Sequence, residues 1–237
     1  NPRSGKAAKT VRARNLYDLI VFSAWKAGDP GLVFVDEINR HNPTPELGRI
    51  EATNPCGEIP LLPYESCNLG SVNLSLFVKD GAVDWARLGE AVRWGVRFLD
   101  DVIEVNNYPL PEIRTMTTGN RKIGLGIMGF ADLLIKLGIP YTSAEAEKTA
   151  SDLMRFVREE SLKASAGLAE ERGVFPYYDK SVYPKQGLKI RNATLNTVAP
   201  TGTISIIAGC SSGIEPLFAL SFVRNVLSGT KLFEVHP

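Results

Sequence analysis

Residues 52–74 constrain this chain most, because they place two thiols among groups that can use them. A proline and a glycine flank Cys56, and this pair suits a tight loop better than a strand inside a sheet. Alternation along an extended segment would place Asn54, Cys56 and Glu58 on one face. An amide, a thiol and a carboxylate would then converge on one small molecule, so we predict a reactive loop.

Cys67 is the second thiol of this stretch. It lies too far from Cys56 for a CxxC redox motif, and the further Cys or His ligands that a zinc site needs are missing from the sequence around it. No metal site is predicted. The alternative is that both cysteines are small buried hydrophobic residues. For Cys56, the flanking amide and carboxylate favour a functional role over that alternative.

The first forty residues indicate an α/β architecture. Thr10 can cap a helix that carries one apolar stripe and ends near Lys26. Residues 32–35 form a short apolar run bounded by turn residues, which is typical of a strand buried on both faces. We therefore expect a helix followed by a buried strand.

Further along, the chain continues to alternate between strands and helices. Residues 71–78 and 191–198 alternate as strands do, and Asp84 can cap a long helix that ends near Val105. A second long helix is predicted over residues 143–172.

Residues 124–129 spell GxGxxG, the dinucleotide-binding fingerprint. The fingerprint requires a preceding hydrophobic strand, whereas residues 115–122 are mostly polar. Glu145 lies at the distance of a ribose contact, but Thr142 and Glu145 also form a capping box, which we prefer. Close backbone packing at a helix start is the alternative explanation for the glycines.

Residues 199–209 form a second candidate site. A predicted strand runs into a loop rich in glycine and hydroxyl groups, and an apolar helix start follows. Free N–H groups, a positive dipole end and hydroxyl donors in one place suit a phosphate. The Gly-Lys-Ser/Thr ending of a P-loop is missing, and an ordinary capped helix start is the alternative. Glu215, farther along, is either a loop carboxylate or a residue that orients others.

Composition limits the class of protein. The chain has 237 residues, of which 44% are hydrophobic, so a sizeable core is expected. A net charge of +1 argues against a direct nucleic-acid or membrane partner. Three cysteines and no signal peptide favour a reducing, cytoplasmic location. Because the sequence starts and stops abruptly, we expect a piece of a longer protein.

Four ordered motifs, NPCGEIPL, ESCNLGSVNL, RKIGLGIMGFADLL and APTGTISIIAGCSSGIEP, resemble the catalytic subunit of ribonucleotide reductase. The sequences of these motifs are most similar to those of the adenosylcobalamin-dependent enzymes of class II. The resemblance implies an α/β fold in which residues 1–237 form half of a ten-stranded α/β barrel, with five parallel strands and their helices. It also implies a finger loop near residues 52–67 and a phosphate-binding loop near residues 199–206.

The same resemblance implies a role for each residue that matches a motif. Cys56 would become a thiyl radical that abstracts the ribose 3′-hydrogen, and Glu58 would accept the 3′-hydroxyl proton. Asn54 would hold the hydroxyl groups. Cys67 would be one of two cysteines that are oxidised to a disulfide as the 2′-hydroxyl leaves as water. The residues that match the phosphate-binding loop are Thr201, Gly202, Thr203, Ile204 and Ser205.

Cofactors and partners also follow from the resemblance. It implies adenosylcobalamin, an external dithiol reductant such as thioredoxin, and a ribonucleotide substrate. The chain has no match for the partner of Cys67, so we expect the remaining half of the barrel in the same longer chain or in a split partner. A homodimer stays open, as does the choice between di- and triphosphate. Two further hypotheses are a nucleotide-binding module without radical chemistry and an inactive half-barrel fragment.

Overall fold

The structure, a computed structural model, describes residues 3–225 and 229–236. The chain divides into two compact units, Asn1–Asp36 and Glu37–Pro237. The helices are α1 Ala13–Ala27, α2 Val35–Arg40, α3 Trp85–Val105, α4 Pro111–Asn120, α5 Phe130–Leu137, α6 Ala144–Arg172, α7 Tyr183–Gln186 and α8 Gly202–Ala208. The strands are β1 Ala52–Thr53, β2 Pro60–Leu61, β3 Asn68–Asn73, β4 Val78–Lys79, β5 Ala82–Val83, β6 Ile123–Met128, β7 Ser221–Asn225 and β8 Lys231–Val235.

The first unit differs from the sequence prediction in two ways. Helix α1 begins after Arg12 instead of Thr10, and each of its residues is exposed or half-buried. The predicted strand over residues 32–35 is wrong, because residues 32–34 are exposed coil and α2 begins at Val35. A strand needs a neighbour for its backbone hydrogen bonds, and the described part of this unit contains no other strand.

Strand β6 is the centre of the second unit. It pairs in parallel with β3, from Asn68 opposite Ile123 to Asn73 opposite Met128, and all six of its residues are buried. On its other edge lies an extended segment, residues 194–197, which bonds to β6 through Leu125 N to Leu195 O at 2.7 Å. The strand predicted over residues 71–78 is confirmed for residues 71–73 only, because β3 begins earlier, at Asn68, and residues 74–76 form a 3-10 helix. The strand predicted over residues 191–198 is present only as this extended segment, with one isolated β-bridge between Asn196 and Leu125.

The long helices cover this sheet. Asp84 caps α3 as predicted, because its side chain accepts a hydrogen bond from Arg87 N. Helix α6 begins after Ser143, whose hydroxyl accepts from Ala146 N, so the predicted cap at Thr142 is wrong by one residue. The long helix predicted there is otherwise confirmed. The stripe of α3 that packs into the core consists of Leu88, Val92, Val96, Leu99 and Ile103.

The first two glycines of the GxGxxG motif lie inside β6 and not in a phosphate-binding turn. A Cβ atom on Gly126 would lie 2.3 Å from the carbonyl oxygen of Thr197. A Cβ atom on Gly124 would lie 2.5 Å from a methyl carbon of Leu69. Close packing therefore does explain these glycines, but between strands. Only Gly129, with φ of 71°, stands at a helix start, where it precedes α5.

The second unit combines helices with the parallel pair β3 and β6, so the α/β class is confirmed. The half-barrel with five parallel strands stays a prediction.

None of the helices in residues 3–225 and 229–236 is both long enough and apolar enough to span a bilayer.

We predict that Gly126→Ala lowers the free energy of unfolding by about 1–3 kcal/mol, because the added methyl group meets a backbone oxygen that cannot move freely. Chemical denaturation measures this change. The matched control is Gly167→Ala in α6, where a Cβ atom meets nothing within 4 Å. There, the better helix propensity of alanine should raise stability by up to about 1 kcal/mol. Equal stability of Gly126→Ala and the original chain would contradict this account of β6.

Candidate active site

The loop that carries Cys56 is the tip of a small hairpin. Strands β1 and β2 pair antiparallel, and Asn54 closes the turn between them. The side-chain oxygen of Asn54 accepts from Ile59 N at 2.9 Å, and its carbonyl oxygen accepts from Gly57 N at 3.0 Å. Gly57 has φ of 85°, which favours glycine. The predicted tight loop is confirmed, and the expected alternation along an extended segment is not.

This geometry limits what Asn54 can offer a ligand. Its side-chain oxygen already accepts one hydrogen bond that holds the turn, so its amide NH₂ group is the better placed group to donate to a ligand. Cys56 is exposed at the tip of the same turn. The loop therefore presents the thiol outward while Asn54 fixes its shape.

Glu58 is anchored at the base of the turn. Its backbone carbonyl accepts from the hydroxyl of Thr197 at 2.9 Å, which ties the loop to the extended segment beside β6. Its carboxylate is half-buried, and one of the two oxygens, Oε2, is buried with no hydrogen-bond partner among the described residues. A buried acceptor without a partner is costly, so this oxygen is suited to receive a proton or hydrogen bond from a ligand.

One cavity of about 340 Å³ joins the reactive loop to the second candidate region. Cys56 and Glu58 line it from one side. Glu215 lines it too, which places this undecided carboxylate beside the thiol loop. The remaining lining residues are Gly57, Val198, Ala199, Pro200, Gly213 and Ile214.

The predicted phosphate loop forms the start of α8. Thr201 precedes the helix with φ of 57°, and its hydroxyl accepts from Gly213 N at 2.7 Å. Ser205 is buried, and its hydroxyl is 2.9 Å from that of Ser212. The residues between them, Gly202, Thr203 and Ile204, are exposed. Two hydroxyl groups thus shape the loop, and the exposed residues are left for a ligand.

Cys67 is separate from the Cys56 cavity. It lies directly before β3 and is half-buried. Burial raises the pKa of the Cys67 thiol to about 12, while the positive charge of Lys122 opposes this shift and Glu65 and Glu58 reinforce it. All three cysteines of the chain are free.

An ion pair beside Cys67 was missed by sequence reasoning. Lys122 Nζ lies 2.6 Å from Glu65 Oε2, and both side chains are 1% exposed. The only signal available in the sequence was a lysine placed directly before an apolar run. In the ranges that the structure describes, no group of three or more His, Cys, Asp or Glu residues could hold a metal ion.

The fold and the site define an α/β domain in which a cysteine hairpin faces a loop at a helix start. Comparison with known families gives this class its name. Residues 2–190 and 184–237 match the barrel domain of ribonucleotide reductase. The chain therefore belongs to the ribonucleotide reductase family, and the resemblance noted from its motifs is confirmed.

Three curated relatives show where the chain stands in that family. It is 60% identical to the vitamin B12-dependent ribonucleoside-diphosphate reductase of Thermoplasma acidophilum, over 100% of this chain and 31% of that protein. It is 56% identical to the enzyme of the same name from Mycobacterium tuberculosis H37Rv, over 100% of this chain and 33% of that protein. The ribonucleoside-diphosphate reductase subunit alpha of Chlamydia muridarum is 33% identical, over 93% of this chain and 25% of that subunit. The chain thus spans about a third of the first two relatives.

We predict that iodoacetamide modifies Cys56 at least about tenfold faster than Cys67 near neutral pH. Cys56 is exposed, whereas Cys67 is half-buried and its raised pKa keeps the reactive thiolate scarce at any pH below about 12. Mass spectrometry of the two cysteine peptides over time gives both rates from one sample. Equal rates would show that Cys67 is not protected as the structure indicates.

Proposed function

We propose that this chain carries the active-site loop of a ribonucleotide reductase that converts ribonucleotides to deoxyribonucleotides with adenosylcobalamin as cofactor. The observation that carries the proposal is the single cavity lined by Cys56, Glu58 and the segment that leads into α8. The proposal is supported by the names of the two most similar relatives described above, both vitamin B12-dependent ribonucleoside-diphosphate reductases. Those names favour a ribonucleoside diphosphate as the substrate.

Cys56 would start the reaction. As a thiyl radical, its sulfur takes the 3′-hydrogen atom of the ribose, and it returns that atom at the end. Adenosylcobalamin, when bound, would supply the radical chemistry that converts the Cys56 thiol to the thiyl radical. The exposed position of Cys56 at the loop tip fits a group that approaches from outside the loop. The apolar residues of the cavity wall, such as Val198 and Ile214, help to exclude water from a reactive radical.

Glu58 and Asn54 would handle the ribose hydroxyl groups. The unpartnered Oε2 oxygen of Glu58 accepts the proton of the 3′-hydroxyl, which leaves electron density on the sugar. The amide NH₂ of Asn54 donates to a hydroxyl oxygen while its own oxygen keeps the turn closed.

Cys67 would supply reducing equivalents. Its thiol and a second cysteine outside this chain form a disulfide, and together they release two electrons and two protons as the 2′-hydroxyl leaves as water. An external dithiol such as thioredoxin then reduces that disulfide and becomes oxidised itself.

The loop at the start of α8 would hold the substrate phosphate. Gly202, Thr203 and Ile204 are exposed, and a Cβ atom on Gly202 would meet nothing within 4 Å, so a phosphate can approach the backbone closely. Thr201 and Ser205 support the loop through their bonds to Gly213 and Ser212.

The chain would need the remaining half of a ten-stranded barrel, in the same longer protein or in a split partner. Strand β3 pairs only with β6 among the strands that the structure describes, which leaves its other edge available for a further strand. We call the chain joined to that remaining part the completed enzyme. The proposal includes a cytoplasmic location, and it is compatible with a homodimer.

We predict that Cys56→Ser in the completed enzyme abolishes deoxyribonucleotide formation while the nucleotide still binds. Serine has nearly the same shape, but its hydroxyl hydrogen is too strongly bound to be abstracted at this step. Cys210→Ser is the matched control, because Cys210 lies outside the cavity of Cys56, and it should keep most of the turnover. Turnover retained by Cys56→Ser at more than a trace would remove Cys56 from the mechanism.

For the phosphate loop, we predict that Gly202→Val weakens nucleotide binding by about one to two decades. A branched side chain blocks approach to the backbone, and each lost charge-assisted hydrogen bond costs roughly 1.5–3 kcal/mol. Gly202→Ala is the control, because its single methyl group enters open space and should change affinity less than Gly202→Val does. Calorimetry with a ribonucleotide measures both. Unchanged binding by Gly202→Val would remove this loop from the phosphate site.

A further inference from the structure

Lys122 and Cys67 are neighbours because of the strand register. Strands β3 and β6 run parallel, and their first paired residues are Asn68 and Ile123. The residues directly before this pair are Cys67 on one chain segment and Lys122 on the other. The fold therefore places an ammonium group at the same end of the sheet as the thiol.

Lys122 is held firmly at this place. Its ammonium group lies 2.6 Å from Glu65 Oε2, and both side chains are 1% exposed. Glu65 is fixed in turn, since it accepts from Leu62 N at 2.6 Å and from the side-chain amide of Asn120. Replacing a buried ion pair with apolar residues is often neutral or stabilising, so stability alone does not explain a buried lysine beside Cys67.

Three charged groups face the Cys67 thiol, and they act in opposite directions. Together they leave its pKa raised to about 12, and burial is the largest cause. Lys122 lowers this pKa, whereas Glu65 and Glu58 raise it. Lys122 is thus the group that favours the thiolate at a position where burial and two carboxylates oppose it.

We infer that Lys122 is a positioning residue for Cys67: its ammonium group, oriented by Glu65, stabilises the Cys67 thiolate during thiol–disulfide exchange. The inference rests on the proposed redox role of Cys67. When an external dithiol reduces the disulfide, one of its thiolates attacks a sulfur and the S–S bond breaks. The other sulfur, that of Cys67, leaves with the electron pair as a thiolate. The dithiol supplies both electrons and ends as its own disulfide.

The test uses two variants that break the same ion pair with opposite expected results. In Lys122→Met, the rate at which iodoacetamide modifies Cys67 should fall about tenfold or more at about pH 8, because the rate follows the thiolate fraction. In Glu65→Gln, the same rate should rise, since the ammonium remains and one opposing carboxylate is gone. Cys56 in each sample is the internal reference, and mass spectrometry of the Cys67 peptide gives the rate.

Lys122→Arg is the conservative control, and it should keep the Cys67 rate within about threefold because the positive charge stays in place. A purely structural role for the pair predicts another pattern. Each substitution would then loosen the same region and expose Cys67, so both rates would rise together. A faster or unchanged Cys67 rate in Lys122→Met overturns the inference, whether or not that variant folds well.

These rates are measured without turnover, so they are independent of the proposed function. If Cys67 in the completed enzyme never enters a disulfide, the redox role fails even when the opposite shifts in rate are observed. If the disulfide forms but Lys122→Met leaves the alkylation rate unchanged, the redox role stands and the inference about Lys122 fails.

Discussion

The second unit depends on the interactions that the buried carboxylate of Asp100 makes with its neighbours. It is fully buried in α3 and bonds to Arg121 Nε at 2.9 Å and to the Asn192 amide at 2.9 Å. Arg172, at the end of α6, and Arg191 lie 3.4 Å and 3.5 Å from it. One carboxylate thus joins two long helices to the residues before β6 and before its extended neighbour. Removing one member of such a buried group leaves charges unpaired, at a cost of about 3–5 kcal/mol.

Two residues that bond to Asp100 lie just before the extended segments that lead to the candidate site. Strand β6 starts two residues after Arg121, and the extended segment 194–197 starts two residues after Asn192. The two run side by side toward the hairpin, where the hydroxyl of Thr197 bonds to the carbonyl of Glu58. The thiol loop is therefore supported by a packed sheet, as precise chemistry requires, while its tip remains exposed.

Local rules explain which features the sequence could predict. Asp84 as a cap and the tight loop at Cys56 depend on neighbouring residues, and both are confirmed. The strand over residues 32–35 failed because a strand also needs a partner. The GxGxxG interpretation and the Lys122 ion pair depended on which strands lie beside β6, and spacing within one segment does not contain that information. The motifs revealed the family, but only the structure shows one cavity shared by thiol, carboxylate and loop.

The most direct test of this account is a crystal structure of the completed enzyme with a ribonucleoside diphosphate bound. We expect the ribose to lie between the Cys56 thiol and the Glu58 carboxylate, with its 3′-carbon next to the sulfur. The phosphate groups should meet the backbone N–H groups of Gly202, Thr203 and Ile204. A nucleotide bound away from this cavity, with its ribose out of reach of Cys56, would contradict the account.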